Sequence, residues 1–247
     1  MSLDYLGIVA EQSERIVQAY ERDPVAAVPW SDRWTVGTVA RHVAGTHHVV
    51  AGIVDGRPDA DFSLFGSLAT PAKDAPEFVE WFRSGTAAML DQLTRVPASE
   101  TAWSWFPEGH QVGWWARRMA FETLVHRWDV ESALGPTASI APNMAVEAVD
   151  EYLDVFVAAT RAGTNAPGGP IVGFECTDHD RRWTLDLTEP GARSLSAAPA
   201  DATITVGGPA QALLLLLWGR VATPPPGITI TGDTATFDRW PELVPPM

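Results

Sequence analysis

Apolar residues recur at helical spacing from about Leu3 to Arg22, at Leu6, Val9, Ile16, Val17 and Tyr20, and Asp23-Pro24 closes the segment. The same spacing predicts a second helix from about Thr35 to Val54, carrying Val39, Val43 and Val50, with Asp55-Gly56-Arg57-Pro58 as its stop. A long polar connection with prolines then leads to a third helix, about Ala75 to Leu93, which aligns Phe78, Phe82, Met89 and Leu93 on one side. Such a connection suits a crossover in a bundle and is long enough to cover a site. A fourth helix spans about Val112 to Leu134 before Gly135-Pro136, and a fifth about Asn143 to Ala162 before Gly163.

Beyond the loop Asn165 to Pro170 the period changes from helical to alternating. Ile171 to Thr177 and Arg182 to Leu187 are short β-rich runs around the charged turn Asp178-His179-Asp180-Arg181, which predicts a hairpin. Ala202 to Val206 is a further strand candidate, Ala210 to Trp218 a short apolar helix opened by Gly207-Gly208-Pro209, and Ile228 to Thr231 a last strand before a helical turn at Thr236 to Trp240. The expected class is therefore α+β, with a helical bundle over 1–164 and a small α+β domain over 170–247.

Composition narrows the function. At 247 residues with 46% hydrophobic and 19% charged residues, the chain can bury a sizeable core. A formal charge of −14 argues against nucleic acid, which needs clustered Lys and Arg, and against docking on anionic lipid. The longest apolar run, Ala212 to Trp218, is too short to span a bilayer, and the first twenty residues lack a basic stretch followed by an apolar one. The single cysteine, Cys176, excludes an internal disulfide and fits a reducing cytoplasm, the expected location. Nothing in the pattern addresses oligomeric state.

Candidate chemistry sits in the bundle. Glu122 and His126 are four apart on the fourth helix, so they project from one face about one turn apart. His42 lies on the second helix among Val39, Val43 and Val50. Inward-facing His and Glu on neighbouring helices are a common way to build a metal site, and two imidazoles with one carboxylate leave a position open, as catalytic zinc sites do. A plain ion pair of Glu122 with Arg118, four residues before it, competes with this reading, as does a satisfied core histidine at His42. Asp129, three residues after His126, can orient that imidazole or simply face outward. Of the 11 Trp, a group at Trp103, Trp105, Trp114 and Trp115 precedes the metal helix; Trp105 and Trp115 are candidates for a substrate wall, with core packing as the alternative. His110 stands in the loop entering that helix and can serve as an acid or base; His47 and His48, five and six residues past His42, point away from it. Cys176 reads as packing rather than nucleophile.

Two stretches carry a family resemblance. Trp34-Thr35-Val36-Gly37-Thr38-Val39-Ala40-Arg41-His42-Val43-Ala44-Gly45 resembles the second-helix motif of the mycothiol-dependent maleylpyruvate isomerase family, a DinB-like group, and Gly113 to Asp129 resembles its Glu-x3-His helix. Ala202 to Gly232, with Leu213 to Arg220, is similar to the family's sterol-carrier-like second domain. The resemblance implies a DinB-like four-helix bundle holding zinc, or another divalent metal, on His42, Glu122 and His126, and mycothiol as a thiol cosubstrate. It implies addition of that thiol to a small electrophilic substrate, as an isomerase or S-transferase. The family's use of an arginine from the second domain suggests Arg220 for a substrate carboxylate. Two alternatives stay open on the residues alone: a zinc-dependent hydrolase using metal-bound hydroxide, and a metal-containing ligand-binding module.

Overall fold

The structure is a computed structural model that describes residues 3–106, 109–135, 139–157, 159–160, 168–188, 193–195, 202–221 and 224–244, with the backbone alone at 193–195, 236 and 241. By internal contacts the chain divides into two units, Met1–Ser139 and Ile140–Met247.

The first unit is built on four long helices: α1 (Tyr5–Arg22), α2 (Val36–Gly56), α4 (Phe78–Arg95) and α5 (Val112–Leu134), with a short α3 (Ser63–Ser67) in the connection after α2. Local chemistry sets their starts. The Asp4 carboxylate accepts from the Gly7 amide, and at α2 Thr35 and Thr38 cap each other reciprocally, side chain to backbone, at 3.3 and 2.6 Å. Proline and glycine set the stops expected from them, and α2 turns out of its axis through Arg57, a non-glycine residue at φ 51°. The apolar stripes meet in a core of Ile16, Val17, Val36, Val39, Ala40, Val43, Phe78, Phe82 and Val130. α5 is enclosed on most of its circumference, so the polar side chains in its middle are buried as well. That is what turns a helix pattern into a site.

In the second unit a five-stranded sheet has the order β3-β2-β1-β4-β5: β1 (Ile171–Cys176), β2 (Arg182–Asp186), β3 (Arg193–Leu195), β4 (Ile204–Gly208) and β5 (Thr229–Gly232). The β1–β2 hairpin is antiparallel, with Val172 opposite Leu185 and Phe174 opposite Trp183, while β1 and β4 run parallel, with Val172 opposite Ile204. The Asp178 carboxylate in the hairpin turn accepts from the Ala210 amide at 2.8 Å, at the start of the apolar helix α7 (Ala210–Leu217). Short helices α8 (Thr234–Asp238) and α9 (Trp240–Leu243) follow β5.

The fifth predicted helix corresponds to α6 (Pro142–Glu151), continued as a π-helical turn over Tyr152–Val157; residues 158 and 161–167 of its expected end and following loop lie outside the described residues. By contacts this helix falls in the second unit, whereas the sequence placed the division at 164–170. α6 packs on α7, Tyr152 and Phe156 contact the Trp218 ring at 5.5 and 4.7 Å, and Asp150 accepts from Arg181 and from the Trp183 indole, each at 2.6 Å. Those partners belong to the second unit. Among the described residues no helix is long and apolar enough to cross a membrane.

Candidate metal centre

Facing positions of α2 and α5 bring His42, Glu122 and His126 together, with one ligand atom from each lying within 4.8 Å of the others. Glu122 Oε1 is the hub, 2.9 Å from His42 Nε2 and 3.2 Å from His126 Nε2. The imidazole rings stand edge to face with centroids 4.9 Å apart. Exposure is uneven: the His42 side chain is 41% exposed, those of Glu122 and His126 12% and 7%. The cluster therefore meets solvent on its His42 side.

The remaining atoms of the set are held from behind. Arg118, itself buried, donates to Glu122 Oε2 from one turn earlier on α5, which leaves Oε1 for the histidines. Glu122 thus pairs with Arg118 through one oxygen and faces both histidines with the other, so the expected Arg118 pair does not use up the carboxylate. Asp129 is fully buried, its carboxylate 2.9 Å from His126 Nδ1, so Nε2 is the nitrogen turned toward the cluster. This is the carboxylate–imidazole arrangement that fixes tautomer and ring orientation in metal-binding histidines.

The electrostatics favour a cation. Burial works to raise the Glu122 pKa, yet Arg118 and His126 hold its carboxyl well below the usual range. Burial likewise opposes charge on His126, but Glu122 and Asp129 outweigh it and raise the imidazole to about 9. Two carboxylates thus keep positive charge at this spot even when only a proton supplies it. Two nitrogens and one oxygen, with Glu122 steered by Arg118 and His126 by Asp129, fit a divalent ion such as zinc with a position left open.

Trp34, at the entry to α2, completes the surroundings. Its ring lies parallel to His126 (5°, 6.3 Å between centroids) and edge-on to His42 (5.4 Å). The sequence motif contained Trp34, but nothing in the periodicity of α2 marked it as a wall, because it precedes the helix.

The Trp-rich segment has another place. Trp115 is fully buried and its indole N–H donates to the Trp103 carbonyl at 2.9 Å, so it offers no face to a substrate and is a packing residue. Trp105 is half-buried, against Trp115 at 4.8 Å and Phe65 at 5.4 Å. His110 is exposed. Arg220 belongs to the second unit, just past α7, with its guanidinium over the Trp218 ring at 5.5 Å and a bond to the Trp218 carbonyl at 3.0 Å. Burial and nearby Asp178 and Asp150 push the Cys176 thiol up to about 12, which removes it as a nucleophile at neutral pH.

One buried group escaped the sequence reading. His47 points away from His42, as expected, but into the core, with no exposure; Nδ1 is 3.0 Å from Thr86 Oγ1 on α4 and Nε2 is 3.0 Å from Thr123 Oγ1 on α5. Burial drives its pKa down to about 3, so the ring is neutral. Hydroxyl geometry selects the tautomer. Thr123 donates to the Met119 carbonyl at 2.7 Å, whereas Thr86 is a long 3.2 Å from the Phe82 carbonyl. The arrangement that satisfies every strong bond has Thr86 donating to Nδ1 and Nε2–H donating to Thr123.

Comparison with known proteins agrees with this architecture. The family model for the mycothiol maleylpyruvate isomerase N-terminal domain matches residues 6–131, and that for the C-terminal domain of the same family matches residues 143–239. A crystal structure of the mycothiol-dependent maleylpyruvate isomerase is similar at a TM-score of 0.63, and one of a histidine-to-alanine mutant of it at 0.62. Each is 11% identical, with 92% of both chains covered. That likeness is one of fold. A search of the curated proteins gave no match.

Proposed function

Because this chain belongs to the mycothiol maleylpyruvate isomerase family, we propose that it is an isomerase that uses the thiol of mycothiol and a divalent metal, most simply zinc, held by His42, Glu122 and His126. The observation that carries the proposal is the convergence of the three donor atoms within 4.8 Å of one another beside the partly exposed His42, with Glu122 and His126 each oriented by a separate buried partner. When bound, the metal supplies Lewis acidity that favours a thiolate over a thiol at neutral pH.

The chain's own residues account for the rest. Asp129 holds His126 with Nε2 forward, Arg118 holds Glu122 with Oε1 forward, and the Trp34 ring stacks on His126. The one cysteine, Cys176, belongs to the second unit, and the attacking sulfur is that of the cosubstrate. Its thiolate adds to one carbon of a cis carbon–carbon double bond conjugated to a carbonyl, forming a C–S bond as the π pair moves onto that carbonyl oxygen as an enolate. Rotation about the resulting single bond and expulsion of the same thiolate restore the double bond as trans, with no net change in atoms or electrons.

The test is cobalt substitution with a mycothiol titration, run beside an isomerisation assay. Thiolate coordination is expected to produce an intense near-ultraviolet charge-transfer band, and His126→Ala to lose most of the metal by elemental analysis. An unchanged cobalt spectrum at saturating mycothiol, with hydrolysis of an ester or amide retained, would replace the isomerase with a hydrolase. Wild-type protein that stays metal-free after saturation with zinc would remove the metal.

A further inference from the structure

We propose that His47 is a positioning residue for the metal-ligand set, acting through its bond to Thr123 to hold α2 and α5 in the register that brings His42 to Glu122; this rests on the metal reading above.

The argument starts from what the two ligand-bearing helices share. His42 is on α2 and Glu122 and His126 are on α5, so the separation of donor atoms is set by how one helix lies along the other. The apolar contacts between bundle helices, Val39, Val43 and their neighbours, are non-directional and tolerate small sliding. A metal site does not, since ligand distances must hold to about 0.2 Å. A directional buried bond is the device that can supply such precision. The His47–Thr123 bond lies in the required place. It joins α2 to α5 within the core, five residues along α2 from His42 and one residue along α5 from Glu122. The second ring nitrogen reaches Thr86 on α4, a helix that carries none of the three ligands. One neutral side chain therefore ties three helices, but only its α5 bond bears on the ligand geometry.

The fold can survive loss of the ring. Both threonine hydroxyls lie within bonding distance of their own i−4 carbonyls, so removing the imidazole strands neither of them.

The experiment compares the cobalt d–d spectrum and the zinc affinity, by chelator competition, of wild type, His47→Leu, Thr123→Val and Thr86→Val. His47→Leu and Thr123→Val are expected to alter the d–d band and weaken zinc binding about tenfold, at the lower end of what outer partners of a metal site contribute. Thr86→Val is expected to keep the wild-type spectrum and affinity, although it also removes a bond to His47. A merely structural histidine would lower the melting temperature of all three variants and leave the spectrum alone. Wild-type spectra and affinities in folded His47→Leu and Thr123→Val would overturn the proposal. If His47→Leu does not fold, Thr123→Val decides alone in the same way. A wild type with no cobalt spectrum overturns the metal reading along with this one; a wild type with the band and unchanged variants overturns only this one.

Discussion

Asp129→Asn is the most informative single substitution at the centre. The carboxylate is fully buried and 2.9 Å from His126 Nδ1, and Asn is nearly isosteric, so packing is preserved while the charge is removed. Two effects follow. The imidazole loses the anion that makes Nε2 a better donor, and the amide can turn its NH2 toward Nδ1, which forces the proton onto Nε2 and blocks the ligand atom. Partners of this kind contribute about 10–100-fold to metal affinity. That range corresponds to about 1.4–2.7 kcal/mol. The assay is competition for zinc against a chromophoric chelator, with circular dichroism melting to confirm the fold. A folded Asp129→Asn protein that binds zinc within twofold of wild type would show that the metal does not use the orientation of His126, and the reasoning about the buried carboxylate would be wrong.

Three further outcomes are expected. His47 is held neutral, its pKa pushed by burial from 6.5 to about 3, so between those values the unfolded chain binds a proton that the folded one refuses. The stability advantage of wild type over His47→Leu should therefore be full above pH 6.5 and shrink by about 2 kcal/mol by pH 5, in chelator-treated protein followed by urea unfolding; parallel curves would contradict the burial of a neutral ring. Gly85→Ala should destabilise by about 1–3 kcal/mol in spite of alanine's helix preference, because its Cβ would lie 2.5 Å from a His48 ring held by Trp81, through its carbonyl at 3.0 Å and its indole at 4.6 Å; denaturant titration reads this directly. A fragment of residues 1–139 should bind one metal ion per chain by elemental analysis, since the three donors with Arg118 and Asp129 all lie in the first unit; a metal-free but folded fragment would show that the donors depend on the rest of the chain.

Periodicity, caps and breakers were enough to place α1, α2, α4, α5, the β1–β2 hairpin and α7, because these depend on residues within one turn or one strand of each other. The i, i+4 spacing of Glu122 and His126 on one helix face is equally local. That His42 joins them came from the likeness to a known family, and the structure brings the three together. Other outcomes were not local. α6 looks like a fifth bundle helix by its own sequence, yet Asp150, Tyr152 and Phe156 find their partners on the β1–β2 hairpin and at Trp218. Trp115 and Trp105 have the composition of a pocket wall, and only packing shows Trp115 to be enclosed. The three-residue β3 has too little sequence to announce itself and exists through pairing with β2. His47 illustrates the division most clearly. Its helical angle says that it faces away from His42, but whether that direction is solvent or core depends on α4 and α5 arriving with Thr86 and Thr123 at the right height. A sequence pattern fixes the angle of a side chain about its own helix; the identity of what waits there is set by chain segments 39 and 76 residues away.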